Sequence, residues 1–239
     1  MPNELEHFGL VGRPTPERPL QGMTVLVVED SRFASEAIRL LCLRSGARIR
    51  RADTLAAAHR HLAVYRPSAV IVDLGLPDGD GLDLIAELHQ ARPRVDVILA
   101  MSGDDAGLER AEAAGADGVL AKPIESLKAF QSAILRCFPQ AQVSTGPQLA
   151  EADRITPDPL SLRDDLTHMV EVIRARPHGE KLGYVAQFLS GVAKTAHDTD
   201  LADAARDLAR ACVQERGRAR NLDRLAGMIE ARLAQGTVI

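Results

Sequence analysis

From Thr24 onward the chain repeats one pattern five times: a short run rich in β-branched residues, then a longer stretch with helical periodicity. The runs at 24–28, 68–73, 95–101 and 118–121 have strand length and are largely apolar, and a weaker run at 48–51 lies between amphipathic stretches at 33–44 and 55–65. Apolar strands without polar alternation are buried on both faces, and strands that alternate with helices need crossover connections. An α/β fold is therefore expected, a doubly wound (βα)5 parallel sheet with helices on both faces.

Either side of this pattern the texture changes. Residues 1–21 hold Pro14, Pro16 and Pro19 among charges and read as an irregular, flexible N-terminal arm with no core of its own. The α/β unit occupies 22–139. Pro139, Ser144, Gly146, Pro147 and Pro157 mark a linker at 140–157. Beyond it, residues 158–236 carry four helical stripes and no strand signal: Leu162, Leu166, Met169 and Ile173; Leu182, Val185, Leu189 and Val192; Leu201, Leu208 and Cys212; Leu222, Leu225, Ile229 and Leu233. A small all-α C-terminal domain of this size is marginal alone, so docking or self-association as a homodimer is expected.

The net charge of −4 offers no global attraction to nucleic acid or anionic lipid. Cys42, Cys137 and Cys212 are scattered among apolar residues, as reduced thiols are, and the first residues lack a basic n-region and apolar h-region. No segment approaches the ~20 apolar residues of a membrane span. A cytoplasmic location without membrane contact is expected.

Candidate chemistry sits where the strands end. Glu29 and Asp30 follow the first strand, Asp73 the third, Ser102 the fourth and Lys122 the fifth. In the flavodoxin-like order 2-1-3-4-5 the first and third strands are neighbours, and ligands bind outside the carboxyl ends at the switch point. Glu29, Asp30 and Asp73 would converge there, and crowded carboxylates are commonly neutralised by a hard divalent cation, here Mg²⁺. Gly75 can add a backbone carbonyl to that metal. With Lys122 and the metal offsetting charge, a phosphoryl group can approach Asp73, and Ser102 can hydrogen-bond it. Taken singly, each motif is also a common turn, cap or loop; Asp30 or Ser31 can simply cap the next helix.

Together, Val-Val-Glu29-Asp30-Ser, Val-Asp73-Leu-Gly-Leu-Pro77-Asp-Gly-Asp-Gly81, Met-Ser102-Gly and Ala-Lys122-Pro123 resemble the receiver domain of bacterial two-component response regulators, over about residues 22–139. The resemblance implies phosphorylation of Asp73 by a sensor histidine kinase or a phosphotransfer protein, Mg²⁺ held by Glu29, Asp30, Asp73 and Gly75, and a phosphorylated state read by Ser102 and Lys122. Such receivers often carry an aromatic switch three positions before the lysine. Val119 stands there, so coupling has to rely on Ser102 and on shifts of the fourth helix.

Three readings compete for the helical half: a protein-binding or dimerising output, a DNA-binding output, and a histidine phosphotransfer-like bundle in a phosphorelay. Arg206, Arg210, Arg216, Arg218, Arg220 and Arg224 cluster, but Asp203, Asp207, Glu215 and Asp223 interleave with them, which favours a solvated or protein-binding face over nucleic acid. His168 lacks the Lys-Gly of the phosphotransfer signature. No dense polar cluster suggests a catalytic output, so the chain is expected to signal and not to be an enzyme.

Overall fold

The computed structural model describes residues 14–138 and 155–235. Its elements run β1 (Thr24–Val28), α1 (Arg32–Arg44), β2 (Arg48–Ala52), α2 (Leu55–Val64), β3 (Ala69–Asp73), a two-residue hairpin β4 (Gly75–Leu76) and β5 (Gly79–Asp80), α3 (Gly81–Gln90), β6 (Val97–Ser102), α4 (Asp105–Ala114), β7 (Gly118–Ala121) and α5 (Leu127–Cys137). Four helices follow: α6 (Pro159–Arg174), α7 (Glu180–Thr195), α8 (Thr199–Gln214) and α9 (Arg218–Ala234).

The five main strands form one parallel sheet in the order β2-β1-β3-β6-β7, the expected 2-1-3-4-5 once the β4–β5 hairpin is set aside. β3 and β6 are buried at every position because helices cover both faces. Alternate residues serve two cores. Val25, Val27, Ile71, Leu99 and Met101 meet Ile38, Leu41, Phe130 and Ile134 of α1 and α5. Leu26, Val28, Val70, Val72 and Ile98 meet Leu84, Ile85 and Leu88 of α3 on the other face. The outer strand β2 carries Arg48, Arg50 and Arg51, all exposed, which discourages edge-to-edge pairing.

Two segments expected to lie apart from the fold contribute to it. Residues 1–13 are outside the described residues, but Leu20 of the arm is fully buried in the α1/α5 core and its N–H donates to Ser45 O at 2.9 Å. Most of the linker, 139–154, is likewise outside them, whereas Ile155 is buried in the same core. An isolated apolar side chain among prolines carries no periodicity, which hides such anchors from pattern reading.

Helices α6–α9 bury the four expected stripes against one another. Asp198 N-caps α8 through the Leu201 N–H at 3.0 Å and is gripped by Arg232 of α9, whose Nη2 lies 2.7 Å from Asp198 Oδ1. Burial opposes ionisation of Asp198, but Arg232 and the Leu201 N–H outweigh it and hold its pKa below the usual carboxylate range. Asp198→Ala should cost about 2 kcal/mol, read as a lower urea midpoint. Because the folded pKa is depressed, this stabilisation is present above the ordinary carboxylate pKa and lost as pH falls through the depressed one.

Candidate functional site

The strand order brings the carboxyl ends of β1, β3, β6 and β7 side by side. Glu29 is fixed by its N–H to Ala52 O at 2.9 Å, and Lys122 by its N–H to Ser102 O at 2.9 Å. Glu29, Asp30 and Asp73 each place an oxygen within 4.8 Å of the others. The Lys122 ammonium reaches between them, 2.7 Å from Glu29 Oε2 and 2.8 Å from Asp73 Oδ1, with its side chain only 6% exposed.

Crowding and burial set the electrostatics. Burial, then Asp73 and Asp30, push Glu29 up to about 8 against the opposing pull of Lys122. Burial first, then Asp73, push Asp30 up to about 7, although a hydrogen bond from Tyr184 opposes this. Burial alone would lower the Lys122 pKa, but Asp73 and Glu29 outweigh it and the lysine is held charged. Glu29 Oε2 is buried, with the Lys122 ammonium 2.7 Å away. The three carboxylates form a hard, all-oxygen donor set that suits a cation such as Mg²⁺.

The remaining expected residues fall into place unequally. Ser102 is buried at the pocket, yet its Oγ accepts from the Asp104 N–H at 3.1 Å and makes no bond to Asp73. The Gly75 N–H donates to Asp73 Oδ2 at 3.3 Å. Val119 lies on β7 opposite Ala100, half-buried against the sheet core and away from the cavity.

The helical half closes over this site. A cavity of about 430 Å³ is lined by the acidic residues and Lys122 on one side and by α7 and α8 on the other. Tyr184 of α7 donates its hydroxyl to Asp30 Oδ2 at 2.6 Å, and Lys194 donates to the Gly103 carbonyl beside Ser102. Asp165 of α6 accepts from Ser31 Oγ at 2.7 Å, Arg32 N at 2.9 Å and Phe33 N at 3.0 Å. A carboxylate there meets unpaired N–H groups and the positive end of the α1 dipole, while Ser31 itself caps Ala34 N. His197 pairs with Glu125 at 2.6 Å, and Phe33 of α1 belongs to the core of the helical unit. Sequence reasoning missed Tyr184, Asp165 and Lys194. A signal existed for one of them: Asp165 lies three residues after Leu162 and beside Leu166, on the buried stripe of α6.

The profile described as Response regulator receiver domain matches residues 25–134, and this α/β unit is a receiver domain. Among curated relatives it is 35% identical over 99 residues to the KDP operon transcriptional regulatory protein KdpE of Escherichia coli, covering 41% of this chain and 44% of that protein. Against the transcriptional regulatory protein KdpE of Mycobacterium tuberculosis it is 31% identical over 137 residues, 56% of this chain and 60% of that one. The chain thus spans about half the length of the curated relatives it matches. A solved response regulator from Burkholderia pseudomallei, with a phosphorylated aspartic acid, calcium ion and citrate, is similar at 31% identity and a TM-score of 0.42, over 47% of this chain and 66% of that one. Among the described residues, no helix is long and apolar enough to cross a membrane.

Proposed function

We propose that this chain is a two-component response regulator that accepts a phosphoryl group on Asp73 from a histidine kinase or phosphotransfer protein, and signals by changing how its helical half docks. The observation that carries the reading is the Lys122 ammonium shared between Asp73 and Glu29 at the mouth of the parallel sheet. Mg²⁺ held by Glu29, Asp30, Asp73 and the Gly75 carbonyl would supply charge neutralisation for the incoming anion. Lys122 would stabilise charge on the phosphoryl oxygens, and Ser102 would turn its hydroxyl from the Asp104 amide toward them.

That turn reaches the output directly. Ser102 precedes Gly103, whose carbonyl accepts from Lys194, and Asp104, which caps α4 through the Gly107 N–H at 3.2 Å. Drawing Ser102 inward moves both attachments, and a tenfold shift in docking needs only ~1.4 kcal/mol. Hydrogen exchange with and without beryllofluoride is the test. Changed protection is expected at 106–115 and in α6 and α7; changes confined to the surroundings of Asp73 would reject the coupling.

Among the described residues no histidine lines the cavity, which weighs against the phosphorelay-bundle reading. The transcriptional role named for the E. coli relative supports a second reading, a DNA-binding output. Four of the six clustered arginines are paired with acidic neighbours, Arg206 with Asp203, Arg210 and Arg224 with Asp207, and Arg218 with Glu215, which favours a protein-facing surface.

A further inference from the structure

We propose that Gln187 is a positioning residue for hydrolysis of the aspartyl phosphate, so that the helical half sets, from within the chain, how long the phosphorylated state lasts. The role rests on Asp73 being the phosphoacceptor. Gly183, Ala186, Gln187, Ser190, Gly191 and Lys194 all line the acidic cavity, and their spacing of three and four places them on one stripe of α7. The opposite stripe, Leu182, Val185 and Leu189, is buried in the helical core. Four of the cavity-facing residues are small, which allows the α7 backbone close to the site. Gln187 is the one long, neutral side chain with hydrogen-bonding groups that α7 gives to the cavity lining.

Its amide lies against the backbone of Gly75: a Cβ added at Gly75 would sit 2.4 Å from both Cδ and Nε2 of Gln187. Gly75 is also the residue whose N–H faces Asp73 Oδ2, while Oδ1 is held by Lys122. Gly75 thus touches both the Asp73 oxygen without a cation and the Gln187 amide. An amide offers an acceptor and two donors on one rigid plane, and a glutamine at a phosphoryl site can orient the attacking water, as in the small GTPases. In the hydrolysis, the water oxygen bonds to phosphorus as the P–Oδ2 bond breaks. The electron pair of that bond returns to the Asp73 carboxylate and the water proton leaves on inorganic phosphate. Gln187 would accept a hydrogen bond from the water through Oε1 and donate one to a phosphoryl oxygen through Nε2, fixing the line of attack.

The test uses the full chain phosphorylated by phosphoramidate with Mg²⁺, the donor removed, and decay of the phosphorylated form followed on a phosphate-affinity gel. Gln187→Ala should slow decay about tenfold, with labelling at least as complete as in wild type and the beryllofluoride midpoint unchanged. Ser190→Ala, on the same stripe, should leave decay at the wild-type rate. A wild-type rate in Gln187→Ala overturns the assignment. So does slowing accompanied by a shifted beryllofluoride midpoint, which would trace the effect to docking, or equal slowing in Ser190→Ala. If the wild-type chain takes no label, the phosphoacceptor reading itself fails and the role of Gln187 falls with it; a labelled wild type whose decay ignores Gln187 refutes the role alone.

Discussion

Asp73→Asn should abolish labelling by a small phosphodonor, and excess chelator should do the same to the wild-type chain. Oxygens of three carboxylates lie within 4.8 Å of one another with a single ammonium between them. Each like-charge contact at that separation costs about 3 kcal/mol at an effective dielectric of 20, before a phosphoryl dianion arrives. One lysine cannot offset two further negative charges in a buried cavity, so transfer is expected to require a divalent cation. Asparagine keeps the shape of Asp73 and an oxygen for Lys122 while removing the nucleophile, so the fold should survive the change. Mass spectrometry of the treated chain is the measurement. Full labelling in the asparagine variant, or in chelator, would reject Asp73 or the metal respectively.

Asp165→Ala should release α6 and α7 from the receiver. This carboxylate makes three of the bonds that join the halves, all to the start of α1. Hydrogen bonds to a charged acceptor contribute ~1.5–3 kcal/mol each, while burial, which raises the Asp165 pKa, offsets part of that. A net loss on the order of 3 kcal/mol is expected, enough to turn a docked population into a mostly open one. Small-angle scattering should report a larger radius of gyration, and the amides of Arg32 and Phe33 should exchange faster. An unchanged radius together with unchanged exchange would show that docking does not depend on Asp165. Asp165→Asn keeps one acceptor and should fall between the two.

The receiver was readable because its signals are local and repetitive. Runs such as Ala69–Asp73 announce a buried strand, and the position of Asp73 and Ser102 at the end of such runs, and of Glu29 and Lys122 just past them, follows from chain order. The four apolar stripes of the C-terminal helices were readable for the same reason. Partnerships across the chain were not. Asp165 looks like a surface acid until α1 is placed beside it, and Tyr184 like an ordinary helical aromatic until Asp30 lies 2.6 Å from its hydroxyl. The β4–β5 hairpin escaped because two-residue strands have no period. β6 begins at Val97, two residues later than expected, with Val95 buried outside the strand.

Phe33 has the plainest practical consequence. It is a residue of the first receiver helix, two positions beyond the Ser31 cap, yet its ring is packed among Leu162, Leu166 and their neighbours from the other half. Cutting the chain in the linker would leave the receiver fragment with an uncovered benzyl group beside its acidic pocket, and the helical fragment with a socket that nothing fills. Such a pair behaves as plug and receptacle: each fragment has a reason to recapture the other, or to stick to a stranger. An uncut chain keeps the plug seated, and heating should therefore unfold both halves in one step.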